Sequence, residues 1–124
     1  MVQCVFCVPQ AERVFLENEL GFALWDAFPV TERHALIVPR RHVRDYFSLT
    51  SEELLACDDL LRQAREFVLA SDLSVKGFNL GANVGEVAGQ TIFHCHIHLI
   101  PRRSGDVANP RGGVRHLIPG KGAY

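Results

Sequence analysis

An excess of charge of either sign is missing from this 124-residue chain, whose formal net charge is −1. That excludes a bulk electrostatic grip on nucleic acid or on a membrane surface. No apolar run approaches the length needed to cross a bilayer. The opening MVQCVFCVPQ has no basic stretch leading into an apolar core, as a secretory leader would, so a cytoplasmic location is expected. Repeats, low-complexity tracts and linkers are also lacking. With 48% hydrophobic and 22% charged residues, the composition is that of one globular domain spanning 1–124 with a core of its own. Cysteine is sparse, at Cys4, Cys7, Cys57 and Cys95. In a reducing compartment the C-x-x-C of Cys4 and Cys7 reads as metal or redox chemistry rather than as a structural bridge.

What is present is a clear order of elements. Arg13 to Asn18 and Phe22 to Phe28 are apolar and aromatic runs separated by Glu19, Leu20 and Gly21, which predicts a hairpin. HALIVP, from His34 to Pro39, is a third strand that its proline should end. Leu49 to Ser71 predicts a long helix. Thr50 and Glu53 fit a capping box, and Leu49 and Leu54 a hydrophobic staple. Leu54, Cys57, Leu61, Ala64 and Val68 recur at helical spacing as its buried face. Gly77 to Val84 and Ile92 to Pro101 read as two further strands, joined by the glycine-bearing loop GEVAGQ. The segment after Pro101 is rich in Gly, Arg and Pro and reads as irregular. The fold class expected is α+β: a five-stranded antiparallel sheet with one long helix, between the third and fourth strands, and a short helix.

The chemistry concentrates in HCHIHLI. His94, His96 and His98 alternate, so in a strand they share one face while Cys95, Ile97 and Leu99 turn into the core. Three imidazoles on one face is costly unless something uses it, because neighbouring imidazolium charges repel and unmatched buried polar groups cost free energy. Two uses fit: the three bind a catalytic metal, or one is a nucleophile while its neighbours bind an anion and move protons. Gly85, Gly89, Gln90 and Thr91, just upstream, can offer N–H groups, an amide and a hydroxyl to phosphate oxygens, which favours phosphate chemistry. For the C-x-x-C, a structural zinc needs two further ligands; six histidines are available, and spacing alone does not choose among them.

HCHIHLI resembles the His-φ-His-φ-His-φ-φ signature of the histidine triad (HIT) family, where φ is apolar. AGQTIFHCHIHLIPR resembles that family's Gly-Gln-Ser/Thr approach to the triad, and FALWDAFPVTERHALIVPRRH its upstream strand–turn–strand block. CVFC and GDVANPRGGVR resemble a zinc-bearing bacterial branch of dinucleoside polyphosphate hydrolases. One departure is that Glu32 and Arg33 precede His34, where many relatives have glycine. The resemblance implies a nucleotide hydrolase or transferase acting at the α-phosphate. His96 would be the nucleophile and His98 the contact to phosphate or leaving-group oxygen. Gln90 and Thr91 would contact phosphate, Asn83 would lie beside it, Asp26 would bind the ribose hydroxyls, and Phe6 and Leu24 would enclose the base. It further implies a structural zinc held by Cys4, Cys7, His42 and His94, magnesium arriving with the nucleotide or dinucleotide substrate, and a homodimer with a continuous ten-stranded sheet.

Chemically, a neutral imidazole attacks well near pH 7 and leaves readily afterwards, so it can divide one displacement into two. A carboxylate at Asp26 can accept two hydrogen bonds from a ribose diol. Three other readings compete. One is a nucleotide-binding sensor without turnover, against which the intact triad argues. Another is a metal-dependent hydrolase with H-x-H ligands, against which the missing adjacent carboxylate argues. The third is an adenosine phosphoramidate hydrolase, which differs in the leaving group alone.

Overall fold

The computed structural model describes residues 4–124. Strand β1 (Val14–Glu17) turns into β2 (Gly21–Trp25) through a tight connection closed by Asn18, whose side-chain oxygen accepts from the N–H groups of Leu20 and Gly21 at 3.0 and 2.9 Å. Strand β3 (Ala35–Pro39) follows, then helix α1 (Ser51–Ser71), strand β4 (Val75–Gly81) and strand β5 (Ile97–Arg103). The sheet order is β1-β2-β3-β5-β4 and every pair is antiparallel, so β1 and β4 are the edges. The expected α+β sheet of five strands is present. The expected short helix takes the form of 3₁₀ turns at Ala11–Arg13, Tyr46–Ser48, Glu86–Ala88 and Gly113–Leu117.

Both faces of the sheet centre are covered, which is why β2 and β3 are buried almost throughout. Ala23, Ala35, Ile37, Ile97 and Leu99 meet Cys57, Leu60 and Ala64 of α1. On the opposite face Phe22, Leu24, Leu36 and Val38 pack with Phe6. The alternation predicted for Ile97 and Leu99 therefore holds.

Helix α1 begins where the sequence indicates. Thr50 Oγ1 accepts from Glu53 N at 3.1 Å, and Glu53 Oε1 accepts from Thr50 N at 2.9 Å, the reciprocal pairing that satisfies two orphan N–H groups. Its buried stripe differs from the expected one. Glu53, Cys57, Leu60, Ala64 and Val68 line it; Leu54 is exposed and Leu61 only partly covered. The stripe is rotated because Glu53 points inward to a bidentate pair with Arg41, at 3.0 and 2.8 Å. The Arg41 hydrogen bonds bring the Glu53 carboxyl down to about 2. This pair ties the start of α1 to the segment that carries His42.

The last strand is shorter at its start than expected. It opens at Ile97, not Ile92, because Cys95 N bonds to Val43 O at 2.7 Å instead of to a neighbouring strand. His94 and His96 therefore precede the regular strand, and only His98 lies within it. The departure at Glu32 and Arg33 also has a structural consequence. Arg33 holds φ +69°, the left-handed region in which glycine is at ease and other residues are strained.

Candidate active site and metal centre

The sheet register places the triad. His98 pairs with Leu36 on one side and Gly81 on the other, so it sits centrally on the face away from α1. His96 precedes it by two residues, with ring centroids 5.4 Å apart.

The proton on each ring follows from its partners. His96 Nδ1 lies 2.8 Å from the carbonyl of His94. A carbonyl only accepts, so Nδ1 carries the hydrogen, and the Nε2 lone pair of a neutral His96 is left for an electrophile. His34, which the sequence reading did not single out, settles His98. Its Nδ1 accepts from Val30 N at 3.1 Å, so Nε2 carries its hydrogen and points at His98 Nδ1, 2.9 Å away, with Asp26 Oδ2 at 3.4 Å. His98 Nδ1 is thus the acceptor and His98 Nε2–H is presented as a donor. The signal was available in HALIVP: the residue heading that strand alternates with Leu36 and Val38 and shares their face.

Asp26, His34 and His98 converge closely enough to resemble a metal site. The hydrogen bonding argues otherwise, because a metal at His34 Nε2 would drive its proton to Nδ1, where Val30 N–H already points.

Burial, then the charges of His96 and His34, push His98 down to about 4. Burial also lowers His34, against the opposing pull of Asp26. Both rings are neutral near pH 7. An unfolded chain protonates histidine near about 6.5, so between there and about 4 the unfolded form binds more protons. Stability therefore falls as pH drops through that window, and these two groups leave it level above. The urea midpoint is expected to be lower near pH 5 than near pH 7; identical midpoints would contradict the buried neutral pair.

The loop before the triad is built differently from its expected role. Gly85 and Gly89 adopt φ of +91° and +93°, the conformations their lack of Cβ permits. The N–H groups thought available for phosphate are used inside the loop: Gly85 N bonds to Gln90 Oε1, Gln90 N to Gly85 O, and Gly89 N to Glu86 O. Gln90 is buried, and its amide nitrogen donates to Arg44 O at 2.7 Å and Ile92 O at 3.2 Å. Its side chain is a brace pointing inward. Thr91 is exposed at the mouth of the loop, and Asn83 is partly exposed just beyond β4.

Asp26 is partly buried, with Oδ1 accepting from Phe28 N at 2.8 Å. Leu24 is fully buried and Phe6 nearly so. They pack in one cluster, with the Phe6 ring 4.9 Å from that of His96. Neither offers open surface to a base; Phe6 lies between Cys4 and Cys7 and backs the His96 ring.

Cys4, Cys7, His42 and His94 come together from three places in the chain. Cys7 Sγ is 3.2 Å from His42 Nδ1, both sulfurs are 3.5 Å from His94 Nδ1, and the two imidazole nitrogens are 3.1 Å apart. A tetrahedral zinc with ordinary bond lengths separates sulfur from nitrogen by ~3.6 Å and nitrogen from nitrogen by ~3.4 Å, so the donors fit. His94 Nε2–H donates to Pro39 O at 2.7 Å, which leaves Nδ1 as the ligand atom and holds the ring in place. The donor set is complete at four, with no open position for catalysis. His94 thus belongs to the Cys/His donor cluster, while His96 and His98 remain beside the open face.

A HIT domain matches residues 9–105, and the chain belongs to that family. It is 37% identical over 103 residues to an uncharacterized HIT-like protein of Mycoplasma genitalium, covering 80% of this chain and 72% of that one. It is 33% identical over 98 residues to the asymmetrical bis(5'-nucleosyl)-tetraphosphatase of Schizosaccharomyces pombe, covering 79% of this chain and 53% of the relative. Among solved structures, a zinc-bound histidine triad family protein from Mycobacterium smegmatis superposes with TM-score 0.76 at 30% identity, covering 86% of this chain and 79% of that one. No helix among the described residues is long and apolar enough to cross a membrane.

Proposed function

We propose that this chain hydrolyses a nucleotide conjugate at its α-phosphorus through a nucleotidyl-His96 intermediate, with a dinucleoside polyphosphate as substrate. The observation that carries the reading is the tautomer pattern: His96 Nδ1–H is committed to His94 O while His98 Nε2–H is offered beside the free His96 nitrogen. Nε2 of His96 attacks phosphorus, a P–N bond forms, and the P–O bond to the leaving polyphosphate breaks. Water then attacks phosphorus from the vacated side and gives up a proton to solvent. The P–N bond breaks, and a nucleoside monophosphate leaves as the imidazole is regenerated. Thr91, Asn83 and His98 hold the phosphate oxygens, Asp26 holds the ribose, and Gln90 contributes by fixing the shape of the loop. Phe6 and Leu24 form the apolar backing of the base pocket behind His96. Zinc on Cys4, Cys7, His42 and His94 anchors that segment to the sheet, and magnesium enters as the counterion of the polyphosphate.

The low basicity of His98 supports an anhydride over a phosphoramidate. A polyphosphate departs as a stabilised anion and needs only a hydrogen bond, whereas an amine must be protonated. A ring that protonates near about 4 is a poor acid catalyst at pH 7 because its charged form is scarce. Rates on a diadenosine polyphosphate and on an adenosine phosphoramidate test this directly. The expected kcat/KM is at least about tenfold higher on the polyphosphate; the reverse order would reassign the substrate class, and no turnover of either would leave a binding protein.

The same reading includes a homodimer. Strand β4 is a sheet edge, and Leu80 on it and Leu73 just before it are exposed. An edge without cover invites pairing, and a twofold pairing would bury both copies of it. Sedimentation equilibrium at micromolar protein is expected to give about twice the 13.9 kDa chain mass. A value at the single-chain mass, independent of concentration, would rule the dimer out.

A further inference from the structure

Among the described residues, Arg33 alone holds a positive φ without being glycine, at +69°. The turn around it is fixed by its neighbours. Asp26 N bonds to His34 O at 2.9 Å and His34 N to Thr31 O at 3.2 Å, and Arg103 donates to Glu32 O at 3.0 Å from β5. Glycine would occupy this position without strain, so an arginine here costs the fold stability.

The side chain adds a second cost. Its guanidinium carbon lies 5.9 Å from the centroid of the Trp25 ring, which stacks on Phe15 at 3.8 Å. Arg33 Nε is buried and has no hydrogen-bond partner. The guanidinium enters no ion pair among the described residues. A buried donor on a charged group is unfavourable while it stays unmatched.

Two acids share its surroundings, and neither neutralises it. A cavity of about 310 Å³ is lined by Trp25, Asp26, Pro29, Glu32, Arg33 and His34, at the small end of the range for ligand sites. Asp26 is turned to other partners: Oδ1 accepts from Phe28 N at 2.8 Å, and Oδ2 lies 3.4 Å from His34 Nε2. Glu32 is exposed. One cavity therefore brings together a hydroxyl acceptor, Asp26, and an uncommitted cation on an aromatic surface.

We propose that Arg33 binds a phosphoryl group carried on the 2'- or 3'-oxygen of the nucleotide's ribose. The proposal rests on the reading that seats the ribose at Asp26. Asp26 belongs to both places: through His34 it joins the group that ends at His98, and it lines the cavity beside Arg33. A ribose held there with its 5'-phosphorus at His96 turns its diol edge to the cavity. One hydroxyl remains for Asp26, and a phosphoryl group on the other oxygen meets the guanidinium. The Nε and Nη edge of a guanidinium is a fork matched to two oxygens of an oxoanion, so the same contact satisfies the orphaned Nε–H. Asp26 and Glu32 oppose an incoming anion. The bidentate contact on a partly buried guanidinium is the stronger interaction, because solvent screens Glu32 and Asp26 is occupied with its own donors.

Calorimetry of the zinc-loaded chain with AMP, adenosine 3',5'-bisphosphate and adenosine 2',5'-bisphosphate tests this without turnover. The wild type is expected to bind one bisphosphate at least about tenfold more tightly than AMP, as a charge-assisted hydrogen bond would give. The isomer that gains identifies the oxygen. Arg33→Gly is expected to bring that ratio to within about twofold of unity and, by relieving the turn, to raise Tm. Equal wild-type affinities for AMP and both bisphosphates, or a preference that survives in Arg33→Gly, would overturn the site. Should the wild type bind none of the three, the nucleotide reading fails and the site with it. Retained AMP binding distinguishes the first failure from the second.

Discussion

His96→Asn is expected to lower kcat by about 10³-fold or more while leaving the dissociation constant for nucleotide within a few fold, because a nucleophile contributes to the chemical step and little to ground-state binding. Asparagine is the informative replacement. It approximates the polar outline of the ring and can still donate to the His94 carbonyl, yet it provides no basic nitrogen to form a P–N bond. Early acid-labile, base-stable incorporation of labelled nucleotide into wild-type protein, absent from the variant, would identify the intermediate as a phosphoramidate. A variant retaining a tenth of wild-type kcat would remove His96 from the role.

The second large effect concerns the metal. Cys7→Ser is expected to reduce bound zinc from about one per chain to a small fraction and to lower Tm by 10 °C or more. A metal at a thousandfold excess over its dissociation constant contributes about 4 kcal/mol, and each kcal/mol moves the Tm of a domain this size by several degrees. Chelation of the wild-type protein should reproduce the change. Activity should decline in step with unfolding rather than ahead of it, because none of the four ligands is left open toward substrate. Loss of activity at full retention of structure would make the metal catalytic. A Cys4–Cys7 disulfide in metal-loaded protein would refute the site.

Much of the fold was legible because its signals are local. The capping box of Thr50 and Glu53 needs only four consecutive residues and one turn of helix. The alternation of Ile97, His98 and Leu99 needs only the pleat of a strand. The register of α1 is not legible locally: in sequence Glu53 is a capping residue alone, yet its second partner, Arg41, lies outside the helix. The start of β5 is hidden likewise, since the bond from Cys95 N to Val43 O belongs to a loop far away in sequence.

The sequence by itself determined that three histidines alternate ahead of and into a strand whose other face is apolar, that two thiols sit one turn apart, and that the triad follows a glycine-bearing loop. These are matters of side-chain chemistry and short-range geometry, which the order of residues dictates directly. Only the tertiary structure decided which partner each of these groups meets. Cys4 and His94 are 90 residues apart in sequence and 3.5 Å apart in space. His34 fixes the proton on His98 from 64 residues away. Gln90, chemically suited to phosphate, is consumed by carbonyls that the chain path happens to bring beneath it. Tautomer and ligand set both depend on convergence of distant segments, and that convergence is selected by burial of the whole core rather than by any local pattern.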